Sequence, residues 1–374
     1  MITLHDCEIV IVGAGPAGIG MGIVLKKLGF ESFAILEKDR AGASFNLWPE
    51  EMKLITPSFT GQGFGALDLN AVAPGTSPAF TFQREHLSGS EYAEYLSLLA
   101  DHFQLPLVEG AAVRKVHKDD AGFLLETDQG KIKAKAVIWG AGEFQFPKHS
   151  FPGAELGLHN SKVTAWSQLE KAHYYVVGGY ESAMDAAFQL AEYGSDVTVI
   201  MPNSIKENAE ADPSLSLSPY TWERIEAAYQ KEKVQFLEHA KVEKMTKKGC
   251  SAYDLYLANG RKIRSDTRPI IATGFHSGAK QIEHLFEWAE NGKPLLTEAD
   301  MSTITDDLYL IGPSVQHQKA VFCFIYKFRQ RFAVIAEHLL KKLGYPPDEK
   351  VLSEYRENQM FLTDLSCCEV HCEC

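Results

Sequence analysis

The chain has 374 residues, a hydrophobic fraction of 45% and a formal net charge of −12 at pH 7. This length predicts one large or two medium-sized domains, and the composition is typical of a globular α/β protein. The acidic balance argues against nucleic acid or an anionic membrane as a partner. Because no apolar run reaches the roughly 18 residues of a membrane span, and no signal peptide is recognisable, we expect a cytoplasmic protein.

The first segment predicts a strand, a glycine turn, a helix and a second strand. An apolar run leads into G-A-G-P-A-G, whose glycines are Gly13, Gly15 and Gly18. Glu37 ends the second predicted strand, where a carboxylate accepts hydrogen bonds from ribose hydroxyls. Together these features predict a dinucleotide-binding βαβ unit with the pyrophosphate at the helix N-terminus. The alternative is a glycine turn with a purely structural role.

A long loop and a β-region follow this unit. Residues 40–90 are rich in Gly, Pro, Ser and Thr, and an irregular segment of this length is often a binding loop. We expect its aromatic part, residues 45–82, to shape the pocket of a small-molecule substrate. An amphipathic helix capped by Ser88 or Ser90 comes next. Alternating apolar residues with turns at Gly122 and Gly130 then predict strands.

A second strand–turn–helix–strand pattern surrounds V-V-G-G-Y-E-S-A, so the chain carries an internal duplication. Gly178 and Ala183 occupy the first and third small positions of the turn, and Tyr180 occupies the position of the second glycine. A side chain there limits the approach of a pyrophosphate, but Ser182 and the amides of the helix start can still donate to phosphate. We expect a nucleotide site that binds less tightly. A further hypothesis is that Tyr180 stacks on the nicotinamide or gates it. The alternative is a degenerate domain retained for packing.

The choice of nucleotide depends on the end of the next predicted strand. The counterpart of Glu37 is Pro202, and the run I-M-P-N-S-I-K-E places no carboxylate beside it. The absence of an acid removes repulsion against a 2′-phosphate, to which Asn203, Ser204 and Lys206 can bind. We therefore expect NADPH rather than NADH, with dual use left open because no arginine follows.

Two further predicted strands end in glycine, at Gly274 and Gly312, and a long apolar helix is predicted over 319–344. The ordered motifs GAGPAG, VIWGAG, VVGGYESA, IIATGF and LYLIGP resemble those of two-dinucleotide-binding-domain flavoproteins. This superfamily includes thioredoxin reductases and flavin-containing monooxygenases, and the chain is most similar to small bacterial flavin-containing monooxygenase-like proteins. The resemblance implies an α/β fold with two Rossmann-like domains. It implies an FAD-binding domain at 1–165 and 276–374, with a cysteine-rich tail at 366–374, and an inserted NAD(P)H-binding domain at 166–275.

The segment F-P-G-A-E-L-G-L-H resembles the monooxygenase signature F-x-G-x-x-x-H, with Phe151, Gly153 and His159 as counterparts. Five residues rather than three separate Gly153 from His159. The asparagine that the family places before Thr-Pro, and that supports its oxygen chemistry, is replaced by Ile55. This replacement disfavours oxygen insertion.

Other relatives are weighed by their cysteines. Thioredoxin reductases carry a C-x-x-C in the nucleotide domain, whereas Cys250 stands alone here. Bacillithiol-disulfide reductases carry a cysteine in the first glycine turn, where this chain has Ala17. The usual ribityl-binding Gly-Asp of the last strand is replaced by Gly312 and Pro313, so other groups must hold FAD at that point.

The tail, S-C-C-E-V-H-C-E-C, combines four thiols with a histidine. Soft thiolates select ions such as Zn(II) or Cu(I), so a soft metal ion is one predicted partner. A dithiol that visits the flavin and a solvated tail with incidental cysteines are the alternatives. The candidate metal ligands are Cys367, Cys368, His371, Cys372 and Cys374.

The resemblance implies an FAD-dependent oxidoreductase that takes hydride from NADPH, and we expect a monooxygenase-like enzyme acting on a small molecule. The alternatives are a disulfide or metal-ion reductase that uses the tail, and a non-enzymatic metal-binding or redox-sensing flavoprotein. His317, Lys319 and Thr56 are the catalytic candidates, and His317 is equally well explained as a helix-cap residue. The cofactor-binding candidates are Gly13, Gly15, Pro16, Ala17, Gly18, Glu37, Lys38, Trp48, Val113, Gly142, Gly178, Gly179, Tyr180, Glu181, Ser182, Ala183, Asn203, Ser204, Lys206, Gly274 and Gly312.

Overall fold

The computed structural model describes residues 6–59, 67–205, 212–249, 252–318 and 320–365. The chain divides into two compact units. The first comprises Met1–Asn46, Pro57–Glu143 and Ser277–Cys374, and the second comprises Leu47–Thr56 and Phe144–His276.

The strands and helices alternate along most of the chain. The strands are β1 (Ile9–Val12), β2 (Phe33–Leu36), β3 (Leu107–Val108), β4 (Val113–Asp119), β5 (Gly122–Thr127), β6 (Gly130–Ala134), β7 (Ala136–Trp139), β8 (Leu158–His159), β9 (His173–Val177), β10 (Asp196–Ile200), β11 (Val234–Leu237), β12 (Val242–Lys248), β13 (Ala252–Leu257), β14 (Lys262–Ser265), β15 (Ile270–Ile271), β16 (Leu308–Leu310), β17 (Gln316–His317) and β18 (Ala320–Val321). The helices are α1 (Pro16–Lys27), α2 (Ala43–Asn46), α3 (Pro78–Phe82), α4 (Gly89–His102), α5 (Glu181–Glu192), α6 (Pro219–Gln230), α7 (Ile325–Phe328), α8 (Phe332–Lys342) and α9 (Glu349–Glu357).

The first unit is built on a parallel five-stranded sheet in the order β16-β7-β1-β2-β3. β1, β2 and β7 are buried along their whole length, which explains why their sequences are continuous apolar runs rather than alternating ones. Because the strands are parallel, their carboxyl ends share one edge, where ligands of such sheets bind. An antiparallel sheet, β4-β5-β6, and the hairpin β17-β18 complete the strands described in this unit.

The second unit repeats this plan with the parallel order β11-β10-β9-β15-β8. α5 connects β9 to β10 and packs its small apolar face on the sheet, burying Ala183, Met184, Ala187 and Leu190. This spacing of three and four residues is the one that places side chains on one face of a helix. A second antiparallel sheet, β12-β13-β14, belongs to the same unit.

The boundaries of the two units differ from the predicted domain boundaries. The resemblance places residues 144–165 in the FAD-binding part, yet β8 pairs with β15 of the second unit through His159 and Ile271. The segment Leu47–Thr56 also groups with the second unit. There, the Glu51 carboxylate accepts hydrogen bonds from the backbone N–H groups of Trp166 and Ser167, both at 3.0 Å.

The single long helix predicted over 319–344 is wrong in its first part. Ala320–Val321 forms β18, and helical structure begins only at Ile325. A tighter turn over Arg329–Arg331 then separates α7 from α8. The reason is that this run is buried on several sides and is therefore apolar throughout. Its hydrophobic pattern then does not show where one element ends and the next begins.

Candidate functional site

The first glycine turn lies between β1 and α1, and its three glycines have different roles. Gly13 has a φ of +100°, and a Cβ on it would lie 2.4 Å from the carbonyl oxygen of Gly140. A Cβ on Gly18 would lie 1.8 Å from the carbonyl oxygen of Gly13. A Cβ on Gly15, by contrast, would meet no atom within 4 Å. Packing therefore requires two of the glycines, and the third leaves open space at the helix start.

That open space adjoins the N-terminus of α1. Gly15 is the N-cap and offers no side-chain hydrogen bond to the first turn, and Pro16 follows it. The first amides of the helix are thus left for an anion, which the helix dipole also favours. The first turn also contains Ala17, which is buried. This geometry fits the pyrophosphate of a dinucleotide.

Glu37 lies directly after β2 and is 9% exposed. One carboxylate oxygen accepts a hydrogen bond from Ala14 N at 2.8 Å, and the other accepts one from Asp39 N at 3.1 Å. Burial raises the pKa of Glu37 above its usual value, and the two N–H donors oppose that rise. The predicted carboxylate is therefore placed at the glycine turn.

Lys38 and Val113 accompany Glu37 in the first unit. Lys38 follows it along the chain and is exposed. Val113 begins β4, two residues after Ala111, whose N–H donates to the carbonyl oxygen of Glu37 at 2.8 Å. The backbone at the start of β4 is thus connected to the end of β2.

Trp48 and Thr56 belong to the second unit. The Trp48 ring lies 6.4 Å from the ring of Phe144, and Thr56 is buried. The structure does not group them with the glycine turn of the first unit, so their predicted roles stay predictions.

The ends of β7 and β16 complete the edge of the first sheet. Gly142 has a φ of +68°, and its carbonyl oxygen accepts a hydrogen bond from Gly278 N at 2.7 Å. Gly312 has a φ of +92°, and a Cβ on it would lie 3.4 Å from Cβ of Ala17. The turns after β1, β7 and β16 therefore lie together. Contacts of Gly142 and Gly312 with a cofactor stay predictions.

A carboxylate that the sequence analysis missed lies at the same edge. Ser314 Oγ donates to Glu143 Oε1 at 2.8 Å, and Lys293 Nζ lies 3.8 Å from that oxygen. Glu143 and Ser314 are separated by 171 positions in the chain. No local sequence pattern reports such a pair.

His317 takes part in a buried cluster of charged groups. Its Nε2 bonds to Asp300 Oδ1, and Arg331 Nε donates to Asp300 Oδ2 at 2.9 Å. Asp300 is 0% and Arg331 is 1% exposed. His317 lies in β17 and caps no helix, so the helix-cap alternative is wrong. Lys319 lies outside the described residues.

The second glycine turn lies between β9 and α5. Gly178 has a φ of +143°, and a Cβ on it would lie 2.3 Å from the carbonyl oxygen of Ala272. A Cβ on Gly179 would lie 2.9 Å from Cβ of Met201. Both glycines are thus required by packing, as at the first turn. Ala183 is fully buried beneath them, 3.3 Å from that Gly178 Cβ position.

Tyr180 occupies the N-cap of α5 with extended backbone, φ −126° and ψ −167°. Any residue can adopt this conformation. Its hydroxyl donates to the carbonyl oxygen of Ser216 at 2.6 Å, and the residue is 38% exposed. The Tyr180 hydroxyl is therefore bonded to the segment before α6. Ser182 lies in the first turn of α5 and is half-buried.

Glu181 is bonded to the start of α6. Its carboxylate accepts hydrogen bonds from Ser218 N at 2.5 Å and from Thr221 Oγ1 at 2.6 Å. Burial raises its pKa, and these donors oppose the rise. These hydrogen bonds hold Glu181 against the start of α6, and its contact with a cofactor stays a prediction.

The loop after β10 differs from the sequence expectation, because a carboxylate lies beside it. Ser204 Oγ and Ile205 N both donate to Glu238 Oε1 at 2.9 Å. Glu238 directly follows β11, the neighbour of β10 in the sheet. The expectation that no carboxylate lies there is therefore wrong, because the acid arrives from the next strand. Asn203 is exposed, and Lys206 lies outside the described residues.

Gly274 follows β15 with a φ of +83°. Its carbonyl oxygen accepts hydrogen bonds from Lys148 N at 2.9 Å and from His159 Nε2 at 3.1 Å. His159 Nδ1 accepts from Ser161 N, so the ring carries its proton on Nε2. Burial lowers the pKa of His159 to about 4. This histidine is a neutral structural link at physiological pH.

The other counterparts of the monooxygenase signature also have packing roles. Phe151 belongs to the core under the antiparallel sheet of the second unit. A Cβ on Gly153 would lie 2.0 Å from the carbonyl oxygen of Met245. Phe151 and Gly153 therefore pack within the second unit.

The cysteine-rich tail, with Cys367, Cys368, His371, Cys372 and Cys374, lies outside the described residues, as does Cys250. Among the described residues, Cys7 and Cys323 form no disulfide. Burial raises the pKa of Cys7 to about 11, so it is unreactive at neutral pH. Within the described ranges, no group of three or more His, Cys, Asp or Glu is arranged to bind a metal. No described helix is long and apolar enough to cross a bilayer.

Comparison with curated proteins finds relatives that match about half of this chain and a relative that matches most of it. An uncharacterized CzcO-like oxidoreductase of Geobacillus kaustophilus is 29% identical over 196 residues, 50% of this chain and 52% of the relative. The chain thus spans about half the length of such relatives. The bacilliredoxin reductase Bdr of Bacillus subtilis is 24% identical over 89% of this chain and 97% of its own length.

Solved structures share the fold. The bacillithiol disulfide reductase Bdr of Staphylococcus aureus superposes with a TM-score of 0.74 at 20% identity, covering 91% of this chain and 99% of that one. A flavin-containing monooxygenase of Stenotrophomonas maltophilia gives a TM-score of 0.68 at 14% identity, covering 91% and 100%. The predicted fold class is confirmed.

The family model described as pyridine nucleotide-disulphide oxidoreductase matches residues 10–312, which include both glycine turns. Its members are oxidoreductases that depend on FAD and NAD(P)H. The predictions of a thioredoxin-reductase-like flavoprotein, of an FAD- and NAD(P)H-dependent enzyme and of these cofactors are thereby confirmed. The monooxygenase subtype is not. The chain belongs to the pyridine nucleotide-disulphide oxidoreductase family.

Proposed function

We propose that this protein oxidises NADPH at bound FAD and passes the two electrons to a separate small-molecule acceptor that contains a disulfide. One observation carries the proposal: each unit has its own glycine turn at the carboxyl end of a parallel sheet, with the first glycine at positive φ. Two such turns suit two dinucleotides.

The first unit supplies the groups that fit FAD. FAD provides the reversible hydride chemistry when bound, and the protein provides binding and orientation. The open space at Gly15 and the free amides of α1 would hold the pyrophosphate. Glu37, at the end of β2, would accept hydrogen bonds from the ribose hydroxyls.

The second unit would hold NADPH. Gly178, Gly179 and Ala183 form the turn, and Ser182 with the first amides of α5 would donate to the pyrophosphate. Because Tyr180 bonds to Ser216, its side chain is held toward the segment before α6. Ser204 would contact the adenine ribose or its phosphate.

Reduction of a disulfide is favoured over oxygen insertion. Ile55 offers no hydrogen-bonding atom in its side chain, and the signature residues around His159 serve packing. The family description and the similar length of the Bacillus subtilis Bdr support the same choice. The balanced reaction is NADPH + H⁺ + RSSR → NADP⁺ + 2 RSH.

Monooxygenation of a small molecule is the second candidate. The observation that favours it is that the described residues contain no disulfide and no two cysteines close in sequence, since the cysteines described are Cys7 and Cys323. An intramolecular dithiol relay would then require the tail cysteines. A soft metal ion at that tail stays a prediction.

Anaerobic reduction of the FAD-loaded protein tests the proposal. We expect NADPH to bleach the flavin absorbance, and a low-molecular-weight disulfide to restore it with two thiols released per NADPH. Serine replacements of the four tail cysteines show whether the tail participates. Incorporation of ¹⁸O from oxygen into a product, without thiol release, would establish the second candidate instead. Absence of bleaching by NADPH and by NADH would overturn both.

A further inference from the structure

The carboxylate of Glu143 lies at the ligand-binding edge of the first unit. Glu143 follows the glycine turn after β7, and Ser314 follows Gly312 and Pro313 after β16. β7 and β16 are hydrogen-bonded neighbours, with Trp139 opposite Leu310. The two loops therefore leave the sheet side by side.

One oxygen of this carboxylate is fixed and the other is available. Ser314 Oγ donates to Oε1 at 2.8 Å, and Lys293 Nζ lies 3.8 Å from the same oxygen. Ser314 is 4% exposed and the Glu143 side chain is 26% exposed. Oε2 accepts no hydrogen bond from any residue that the structure describes.

The backbone around the carboxylate leaves room for a ligand. A Cβ on Gly142 would meet no atom within 4 Å. The preceding Gly140 touches the first glycine turn, since its carbonyl oxygen lies 2.4 Å from a Cβ placed on Gly13. Glu143 is thus adjacent to the turn that fits the pyrophosphate. On the facing loop, Pro313 can offer neither a carboxylate nor an N–H.

We propose that Glu143 is a flavin-binding residue whose free oxygen accepts hydrogen bonds from the polyol hydroxyls of FAD, held in place by Ser314. FAD carries three such hydroxyls between its pyrophosphate and its ring, and a carboxylate is the strongest acceptor available for them. Lys293 offsets the negative charge that would otherwise face the pyrophosphate. The inference rests on the proposed binding of FAD in the first unit.

Titration of the FAD-free protein with two ligands tests this role. FAD contains the polyol, whereas ADP contains the pyrophosphate and ribose without it. For Glu143→Gln, which keeps the shape of the side chain, we expect FAD to bind about tenfold to a hundredfold more weakly, with ADP affinity unchanged. Ser314→Ala should weaken FAD less, because the carboxylate remains but loses its orientation.

Glu287→Gln is the matched control. Glu287 is another first-unit carboxylate that accepts a hydroxyl hydrogen bond, from Thr303 Oγ1 at 3.0 Å, and its replacement should leave both affinities unchanged. Urea unfolding of each FAD-free variant checks that the fold is retained, and Glu143→Asp provides a second variant with an intermediate FAD affinity.

The outcomes separate the inference from the proposed function. FAD binding by Glu143→Gln within twofold of wild type would overturn the inference, as would an equal loss of FAD and ADP affinity. After either of these outcomes, the proposed hydride transfer stands if the wild type binds FAD and NADPH reduces that FAD. A wild-type protein that binds no FAD overturns both.

Discussion

Alanine substitutions at two glycines of the first turn should have opposite consequences. A methyl group on Gly18 would lie 1.8 Å from the carbonyl oxygen of Gly13, whereas one on Gly15 would meet no protein atom within 4 Å. Gly18→Ala should therefore damage the fold itself. Gly15→Ala should leave the fold intact and obstruct only the ligand, because its methyl group would enter the space that fits the pyrophosphate.

The magnitudes follow from these contacts. At Gly18 the two backbone segments would have to separate by about 1 Å or more, and overpacking of this kind costs about 1–3 kcal/mol or more in the free energy of unfolding. At Gly15, alanine is a poorer N-cap than glycine. It also reduces the entropy of the unfolded chain. These opposing effects should leave the free energy of unfolding within about 0.5 kcal/mol of wild type.

Urea unfolding of the FAD-free proteins, followed by titration with FAD, measures both effects. We expect Gly18→Ala to unfold at a clearly lower urea concentration. Gly15→Ala should unfold like wild type and bind FAD at least tenfold more weakly, about 1.4 kcal/mol. Wild-type FAD affinity in Gly15→Ala would refute the assignment of the open space to the pyrophosphate. Wild-type stability in Gly18→Ala would refute the packing argument.

Three other substitutions probe the remaining parts of the two units. Glu238→Gln removes the negative charge at Ser204, so NADPH affinity should rise several-fold relative to NADH; an unchanged ratio of the two dissociation constants would contradict this. Burial lowers the pKa of His159 to about 4 from 6.5, so the unfolded state takes up the proton first and stability is lost as pH falls between these values. His159→Asn should therefore show a smaller drop in urea midpoint between pH 7 and pH 4.5 than wild type. An equal drop in the two proteins would contradict the role of His159 in this loss of stability. Asp300→Asn leaves the buried guanidinium of Arg331 without its counter-charge and should cost about 3–5 kcal/mol in the free energy of unfolding; a loss below about 1 kcal/mol would show that the pair matters little.

The glycine turns could be predicted from the sequence because their information is local. A run of apolar residues, glycines at fixed offsets and a helix are contiguous, and the positive φ values of Gly13 and Gly178 agree with that pattern. The role of Tyr180, at the second glycine position, could not be predicted in this way. The sequence does not show that its hydroxyl bonds to the carbonyl oxygen of Ser216, 36 positions away.

The polar pairs could not be predicted because they are made by packing between distant segments. Glu238 reaches Ser204 across 34 positions, and Ser314 reaches Glu143 across 171. The unit boundaries have the same cause, since the segment around Glu51 joins the second unit through hydrogen bonds to Trp166, 115 positions away. Such contacts depend on strand order, which periodicity and turn residues do not report.

The buried cluster around Arg331 has a consequence for how the first unit opens. Its guanidinium also donates to the carbonyl oxygens of Glu298 and Leu362, in addition to the Asp300 carboxylate that holds His317. Four stretches of chain between residues 298 and 362 thus meet in one buried cluster, centred on the ion pair of Arg331 and Asp300. Detachment of any one of them removes either the counter-charge or a hydrogen bond from this buried cluster. We expect these stretches to exchange their amide hydrogens as one cooperative unit, and the last described segment to be released only when the whole cluster opens.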